Sequence, residues 1–124
     1  MDVSCACPPG PNAPALARLA EELGYRRAWL YDSAALYGDV FVGLARLADE
    51  TQRIGLGIAV LVPSFRHVLA TASGIATIEQ LAPGRLAVAI GTGFTGRYAL
   101  GQRPLSWKTT ERYVADLRAL LRGE

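Results

Sequence analysis

The chain has 124 residues, of which 51% are hydrophobic, and 13 Lys and Arg residues against 11 Asp and Glu residues give a net charge of +2. This composition supplies one domain with a core and excludes a disordered tail. The basic residues are scattered rather than clustered, which excludes the electrostatic footprint of a nucleic-acid-binding protein. The longest apolar run, residues 54–62, is much shorter than the roughly 18 residues that a membrane crossing needs.

The two cysteines, Cys5 and Cys7, lie two positions apart in the first apolar run. They are too few and too close together for a disulfide framework, and they have no Cys or His partners at the spacing of a metal site. The amino terminus carries no Lys or Arg before an apolar stretch, so it does not resemble a secretory signal. We therefore expect a reduced, cytoplasmic protein without a bound metal.

The first strand and helix follow each other closely. Residues 1–7 form a short apolar run, and three prolines end it, because proline fixes φ and lacks an N–H donor. Apolar residues then recur every three or four positions over 16–23, which predicts a helix capped by Asn12 and ended at Gly24. The apolar and aromatic segment 27–31 predicts the second strand.

The rest of the chain continues the same alternation. The sequence predicts, in order, helix 40–48, strand 54–62, helix 68–78, strand 86–90 and a helix after Ser106. Asp39 is the expected cap of the first of these helices. The strand at 54–62 is continuously apolar, which is typical of a strand covered on both faces.

Four strand–helix pairs in succession predict an α/β fold with a parallel sheet, because crossover helices are the connections that parallel strands require. Two architectures fit this order: a small doubly wound sheet, or half of a barrel. A complete TIM (β/α)8 barrel takes about 250 residues, so four consecutive βα units in this chain are equivalent to the first half of one.

Residues 91–96 spell GTGFTG, a G-x-G-x-x-G pattern directly after a predicted strand. A dinucleotide fingerprint would need a helix to begin here and an acidic strand end about 20 residues later. Gly101 and Pro104 interrupt the expected helix, and Glu111 falls within the last predicted helix. We therefore interpret the segment as a glycine-rich loop at a strand end whose backbone approaches a ligand closely.

Three polar side chains follow strands at the edge where ligands bind to parallel sheets. Asp32 closes the second strand, and it can serve either a ligand or a turn or helix cap. His67 is the single histidine, and at a predicted helix start it is best interpreted as a surface residue. Arg66 is the better candidate for an anion contact, because a helix amino terminus adds N–H donors beside the guanidinium.

Several short motifs in this order resemble the luciferase-like monooxygenase family. They are AEELGY at 20–25, WLYD at 29–32, TQRIGLG at 51–57, LAPGRL at 81–86 and IGTG at 90–93. Each motif is weak alone, and their common order makes the resemblance specific. The family consists of (β/α)8 barrels that bind coenzyme F420 or FMN at the carboxyl face, and this chain is most similar to the F420-dependent branch. The resemblance implies that residues 1–124 form one luciferase-like domain, a partial barrel.

The resemblance also implies a set of cofactor-binding positions. Asp32 corresponds to a polar residue on the cofactor or substrate side. Ala59 and Val60 correspond to the family's non-prolyl cis peptide behind the cofactor ring. Gly91, Thr92 and Gly93 would lie along the ring and its side chain, where small residues permit close approach. The implied reaction is hydride transfer between the reduced cofactor and an unidentified small-molecule substrate, by a flavin- or deazaflavin-dependent oxidoreductase.

Two departures from the family limit what the resemblance implies. Its sugar-phosphate dehydrogenases carry a glutamate as general acid where this chain has Phe94, so that substrate class is in doubt and the catalytic residues stay unknown. The family's barrels are also about twice as long. We expect either that the remainder of a barrel completes this half or that the chain forms a homo-oligomer, since the inner faces of Ile58, Val60, Val88 and Ile90 would be poorly covered. The alternative function is a non-catalytic half-barrel that acts through self-association or a partner chain.

Overall fold

A computed structural model describes residues 1–124. The chain forms four strands and five helices, in the order β1 (Ser4–Cys7), α1 (Ala13–Glu22), β2 (Arg27–Leu30), α2 (Val40–Glu50), β3 (Gly55–Leu61), α3 (Val68–Leu81), β4 (Leu86–Ile90), α4 (Phe94–Ala99) and α5 (Trp107–Arg122). A single 3₁₀ turn, Pro63–Phe65, separates β3 from α3. None of the helices combines the length and the apolar character that a membrane crossing requires.

The four strands form one parallel sheet in the order β1-β2-β3-β4. This sequential order confirms the predicted half-barrel and excludes the doubly wound alternative, whose strand order reverses at a switch point. The helices α1, α2 and α3 share one apolar core with the outward face of the sheet, in which Leu30, Leu44, Leu56 and Ile58 are fully buried. The carboxyl ends of the strands therefore meet at one edge.

The inner face of the sheet carries different side chains from those that the sequence predicted. Ile58, Val88 and Ile90 face the helices instead of the barrel interior, so the prediction that they line the inner face is wrong. The continuous apolar run hid the two-residue alternation that assigns side chains to faces. On the inner face the ring of Trp29 lies against Gly57, at a distance that leaves no room for a Cβ atom there.

The helix caps agree with the sequence in one case and differ in another. Asp39 caps α2 as predicted, because its Oδ1 accepts hydrogen bonds from the backbone N–H groups of Phe41 at 2.9 Å and Val42 at 3.0 Å. The prediction for Asn12 is wrong, since its side chain makes no cap hydrogen bond and its backbone already lies in the helical region.

A glutamate at the end of α1 joins this helix to the start of β3. Glu21 accepts hydrogen bonds from the backbone N–H groups of Gln52, Arg53 and Ile54 at distances between 2.6 and 3.2 Å. Partial burial acts to raise the pKa of Glu21, but the three N–H donors outweigh it and hold the pKa below its ordinary value. Glu21 thus fixes where β3 begins.

The glycine-rich segment after β4 contains a helix that the sequence analysis did not predict. We expected a loop over 91–96, but α4 begins at Phe94 and runs for six residues. Gly93 precedes it with φ of +80°, and Gly101 ends the segment with φ of +69°. Glycine is favoured at both positions because other residues rarely adopt a positive φ.

Candidate functional site

A cavity of about 350 Å³ opens at the carboxyl ends of the strands. Its lining residues come from the ends of β2 and β3 and from α4: Tyr31, Asp32, Ser33, Tyr37, Ala59, Val60, Val62, Gly93, Phe94, Thr95 and Gly96. Its size is typical of small-molecule sites, and its position is the ligand-binding edge of parallel α/β folds. We therefore take this cavity as the candidate functional site.

Four of the six predicted cofactor-binding residues line this cavity. They are Asp32, Ala59, Val60 and Gly93. The other two, Gly91 and Thr92, lie between the end of β4 and Gly93 but are not among the lining residues.

The peptide bond between Ala59 and Val60 is cis, as the resemblance implied. The pairing of β3 with β4 shifts register at this point, and the Val60 side chain is 41% exposed in the cavity wall. A Cβ atom at Gly91 would lie 2.7 Å from Cγ2 of Val60. The absence of a side chain at Gly91 therefore makes room for Val60 itself.

Gly93 is buried and closely surrounded. A Cβ atom at this position would overlap Cγ1 of Val62 and lie 3.1 Å from Cδ of Arg97. Its φ of +80° also excludes a β-branched residue without strain. A side chain at Gly93 would therefore disturb the fold as well as the cavity wall.

Asp32 is held in a buried ion pair with Arg66. Its Oδ2 accepts hydrogen bonds from Nη1 of Arg66 at 2.7 Å and from the backbone N–H of Val62 at 3.0 Å. Its Oδ1 accepts from Nη2 of Arg66 at 2.9 Å, so the pair is bidentate. The Asp32 side chain is 1% exposed. The carboxylate therefore joins the end of β2 to the segment after β3.

The guanidinium of Arg66 is engaged by two carboxylates of the chain itself. Besides Asp32, its Nη2 donates to Oδ2 of Asp39 at 3.1 Å, and its guanidinium stacks on the ring of Phe41 at 5.3 Å. The prediction that Arg66 contacts a ligand anion is wrong, because its guanidinium is already paired with Asp32 and Asp39. Burial acts to lower the pKa of Arg66, but the hydrogen bonds and charges of Asp32 and Asp39 outweigh it and raise the pKa.

The contact with Arg66 also lowers the pKa of Asp39. Partial burial acts to raise its pKa, but the N–H of Val42 and the guanidinium of Arg66 outweigh it and hold the pKa below its ordinary value. The hydroxyl of Tyr113 on α5 also donates to the backbone carbonyl of Arg66 at 3.4 Å. The network therefore joins β2, α2 and α5 behind the cavity.

The remaining ionisable candidates have structural contacts. His67 is exposed, as expected, and its Nδ1 also accepts a hydrogen bond from the backbone N–H of Leu69, so that it caps α3. Cys5 and Cys7 are free thiols packed against the core beside α1, and burial raises the pKa of each. Neither thiol lines the cavity.

The two tyrosines of the cavity were not singled out from the sequence, and Phe94 was noted only as a departure from the family. Tyr31 and Tyr37 line it from the segment after β2, with ring centroids 6.0 Å apart. Phe94 lines it from α4. The available signal was the position of Tyr31 directly after β2 and of Phe94 in the segment after β4, but aromatic residues near strand ends more often pack in a core.

The chain matches the family model described as luciferase-like monooxygenase over residues 6–124. It is 34% identical over 115 residues to 5,10-methylenetetrahydromethanopterin reductase of Methanolobus tindarius, a match that covers 87% of this chain and 33% of the relative. It is 37% identical over 79 residues to F420-dependent glucose-6-phosphate dehydrogenase of Intrasporangium calvum, covering 60% of this chain and 23% of the relative. The chain thus spans a third or less of the length of these curated relatives.

Solved structures with the same fold extend beyond this chain in the same way. The oxygenating constituent of 3,6-diketocamphane monooxygenase from Pseudomonas putida, solved with FMN, superposes with a TM-score of 0.85 at 16% identity. That match covers 100% of this chain and 40% of the other. The F420-dependent tetrahydromethanopterin reductase of Methanopyrus kandleri gives a TM-score of 0.78 at 22% identity, over 98% of this chain and 39% of the other. These two likenesses concern the fold, and the family match over residues 6–124 identifies the chain as a member of the luciferase-like monooxygenase family.

Proposed function

We propose that this chain is the cofactor-ring-binding part of a flavin- or deazaflavin-dependent oxidoreductase, with coenzyme F420 as the cofactor and FMN as the alternative. The reaction is hydride transfer between the reduced cofactor and a small organic substrate. Residues 1–124 act as one domain that supplies half of a barrel. The observation that carries the proposal is the cavity at the carboxyl ends of β2 and β3, in a chain whose relatives include F420-dependent enzymes.

The cavity wall suits a flat ring system. Ala59 and Val60 present an apolar surface, and Gly93 adds backbone without a side chain. Gly91 and Thr92 connect this wall to the end of β4, and Asp32 lies at its polar end. We assign all six residues to cofactor binding, Gly91 acting by leaving space for Val60.

The residues of this chain orient the cofactor ring and do not themselves take part in the hydride transfer. The bound cofactor would carry the hydride, and the protein's part is to hold one face of the ring and exclude water from it. The Asp32–Arg66 pair fixes the segment that begins at Val62, and this keeps the wall in place. No free cation lines the cavity, so the cofactor's phosphate-bearing tail would be held by residues beyond those that line it.

A paired substitution tests this assignment. Val60→Trp places a large side chain in the cavity, whereas Val42→Trp makes the same change on α2, where the side chain is 62% exposed and outside the cavity. We expect Val60→Trp to weaken the binding of F420 or FMN at least about tenfold, and Val42→Trp to leave it unchanged. The measurement is fluorescence titration with each cofactor separately, on this chain and on the longest protein that its gene encodes.

Equal affinities of the two variants, or binding of neither cofactor by the unsubstituted protein, would contradict the proposal. Circular dichroism of both variants separates a loss of binding from a loss of folding.

One observation favours a second candidate, the non-catalytic half-barrel that self-associates. Three leucines, two on α1 and one directly after it, are at least half exposed: Leu16 at 50%, Leu19 at 50% and Leu23 at 66%. They border an entirely apolar groove beside β1, whose outer edge is unpaired. Exposed apolar surface of this kind is typical of an interface. Self-association without any cofactor binding would favour this candidate.

A further inference from the structure

Aromatic side chains surround the mouth of the cavity from two sides. On one side are Tyr31 and the 41% exposed Tyr37. On the other side is Phe94, which is 66% exposed and lies edge-on to Tyr98 with ring centroids 4.7 Å apart. Single exposed apolar residues need no explanation, but aromatic rings gathered at one cavity indicate a binding surface.

The two sides are joined by close packing. A Cβ atom at Gly96 of α4 would lie 3.6 Å from Cα of Ser33, which directly follows Asp32. The helix that carries Phe94 therefore packs beside the segment that carries Tyr31 and Tyr37. The rings border one continuous space.

No uncompensated charge faces this space. Asp32, the ionisable carboxylate among the lining residues, is neutralised by Arg66. Arg97 of α4 is directed elsewhere, since its Nη1 donates to Oγ of Ser64 at 2.6 Å and its Nε to the carbonyl of Arg103 at 2.6 Å. An ionic ligand would lose hydration here without gaining a counterion, which is costly.

The two tyrosines add polar groups without charge. Both line the cavity, and neither hydroxyl makes a hydrogen bond within the chain. A tyrosine hydroxyl both donates and accepts, so it can recognise a hydroxyl or a carbonyl group. The cavity mouth therefore offers aromatic faces together with neutral hydrogen-bonding groups.

We propose that the substrate is a flat, uncharged aromatic molecule that carries a hydroxyl or carbonyl group. Its ring packs against Phe94, and its polar group hydrogen-bonds to the hydroxyl of Tyr31 or Tyr37. This inference rests on the proposed function, because the substrate binds beside the cofactor ring at Ala59 and Val60. It goes beyond that function by naming the substrate class and Phe94 as the residue that selects it.

The test uses 2-naphthol as the probe, with naphthalene-2-sulfonate and glucose 6-phosphate as charged comparisons. Saturation-transfer NMR measures the three dissociation constants on the whole chain, with and without saturating FMN or F420. We expect 2-naphthol to bind at least about tenfold more tightly than the sulfonate and to bind whether or not the cofactor is present. Glucose 6-phosphate is expected not to bind.

Substitutions at Phe94 locate the contact. Phe94→Leu keeps an apolar side chain without the aromatic ring, and we expect it to weaken 2-naphthol binding about fivefold, while Phe94→Tyr retains it. Trp107→Ala is the matched control, because Trp107 is 75% exposed on α5 and lies outside this cavity. Trp107→Ala should leave both 2-naphthol binding and cofactor affinity unchanged.

Three results would overturn the inference: no binding of 2-naphthol, equal binding of 2-naphthol and the sulfonate, or equal effects of Phe94→Leu and Trp107→Ala. If 2-naphthol fails these tests while F420 or FMN binds, the proposed function stands and the substrate class is wrong. If neither cofactor binds while 2-naphthol passes, the site binds aromatic molecules, but the proposed oxidoreductase function and the substrate role both fail.

Discussion

Removing Arg66 should destabilise the fold far more than removing an arginine from a surface ion pair. Arg66→Met keeps an aliphatic side chain over Phe41 but leaves the carboxylate of Asp32, which is 1% exposed, with the N–H of Val62 as its hydrogen-bond partner. Breaking a buried pair in this way costs about 3–5 kcal/mol, a large part of the roughly 5–15 kcal/mol that stabilises a typical domain.

The matched control is Arg18→Met. Arg18 pairs with Glu50 at 3.1 Å, but the two side chains are 56% and 47% exposed, so the loss should be at most about 1 kcal/mol. Denaturant and thermal unfolding followed by circular dichroism measure both variants. The expected difference in melting temperature is roughly 10–20 °C for Arg66→Met and a few degrees for Arg18→Met, at about 4 °C per kcal/mol.

A double variant separates the ion pair from side-chain packing. Asp32→Asn with Arg66→Met removes both charges but keeps an acceptor for the N–H of Val62. We expect the double variant to recover at least half of the loss caused by Arg66→Met alone. The reasoning is refuted if Arg66→Met costs no more than Arg18→Met, or if the double variant is less stable than the single one.

Three further outcomes are expected. Glu21→Ala should lower the free energy of unfolding by about 1–3 kcal/mol at pH 7, because it removes the acceptor of three backbone N–H groups. Glu22→Ala removes a neighbouring carboxylate that accepts no hydrogen bond, and it should leave the free energy of unfolding unchanged. Because the pKa of Glu21 is lowered in the fold, this difference is complete above about pH 4.3 and is lost as the pH falls through the folded pKa, which urea unfolding across pH will show. Gly93→Val should lower the free energy of unfolding by at least about 1–3 kcal/mol in the same assay. Gly10→Val should lower it much less, because a Cβ atom at Gly10 would have no other atom within 4 Å. Light scattering should find that the isolated chain self-associates, and a stable monomer at high concentration would count against the unpaired sheet edges as association sites.

The sequence predicted the strands well because each apolar run is short and bounded by strong breakers. The parallel order followed from the alternation of strands and helices, and the cap at Asp39 followed from its position before a periodic segment. The cis peptide between Ala59 and Val60 was implied only by family resemblance, since the composition of the strand carries no signal for it.

Other features depend on distances that a sequence does not contain. The face to which Ile58 points could not be read from a run in which every position is apolar or glycine. The pairing of Asp32 with Arg66 joins residues 34 positions apart, and so a surface anion contact seemed the simpler role for the arginine. The helix at Phe94 was missed because the glycines on both sides of it conceal its short periodicity.

The most direct test of the proposed function is a titration of the isotopically labelled protein with coenzyme F420 and, separately, FMN, followed by two-dimensional amide NMR. We expect the largest shifts at Ala59, Val60 and residues 91–93, with no change along α1. Shifts confined to the apolar groove beside Leu16 and Leu19, or no shifts with either cofactor, would contradict it.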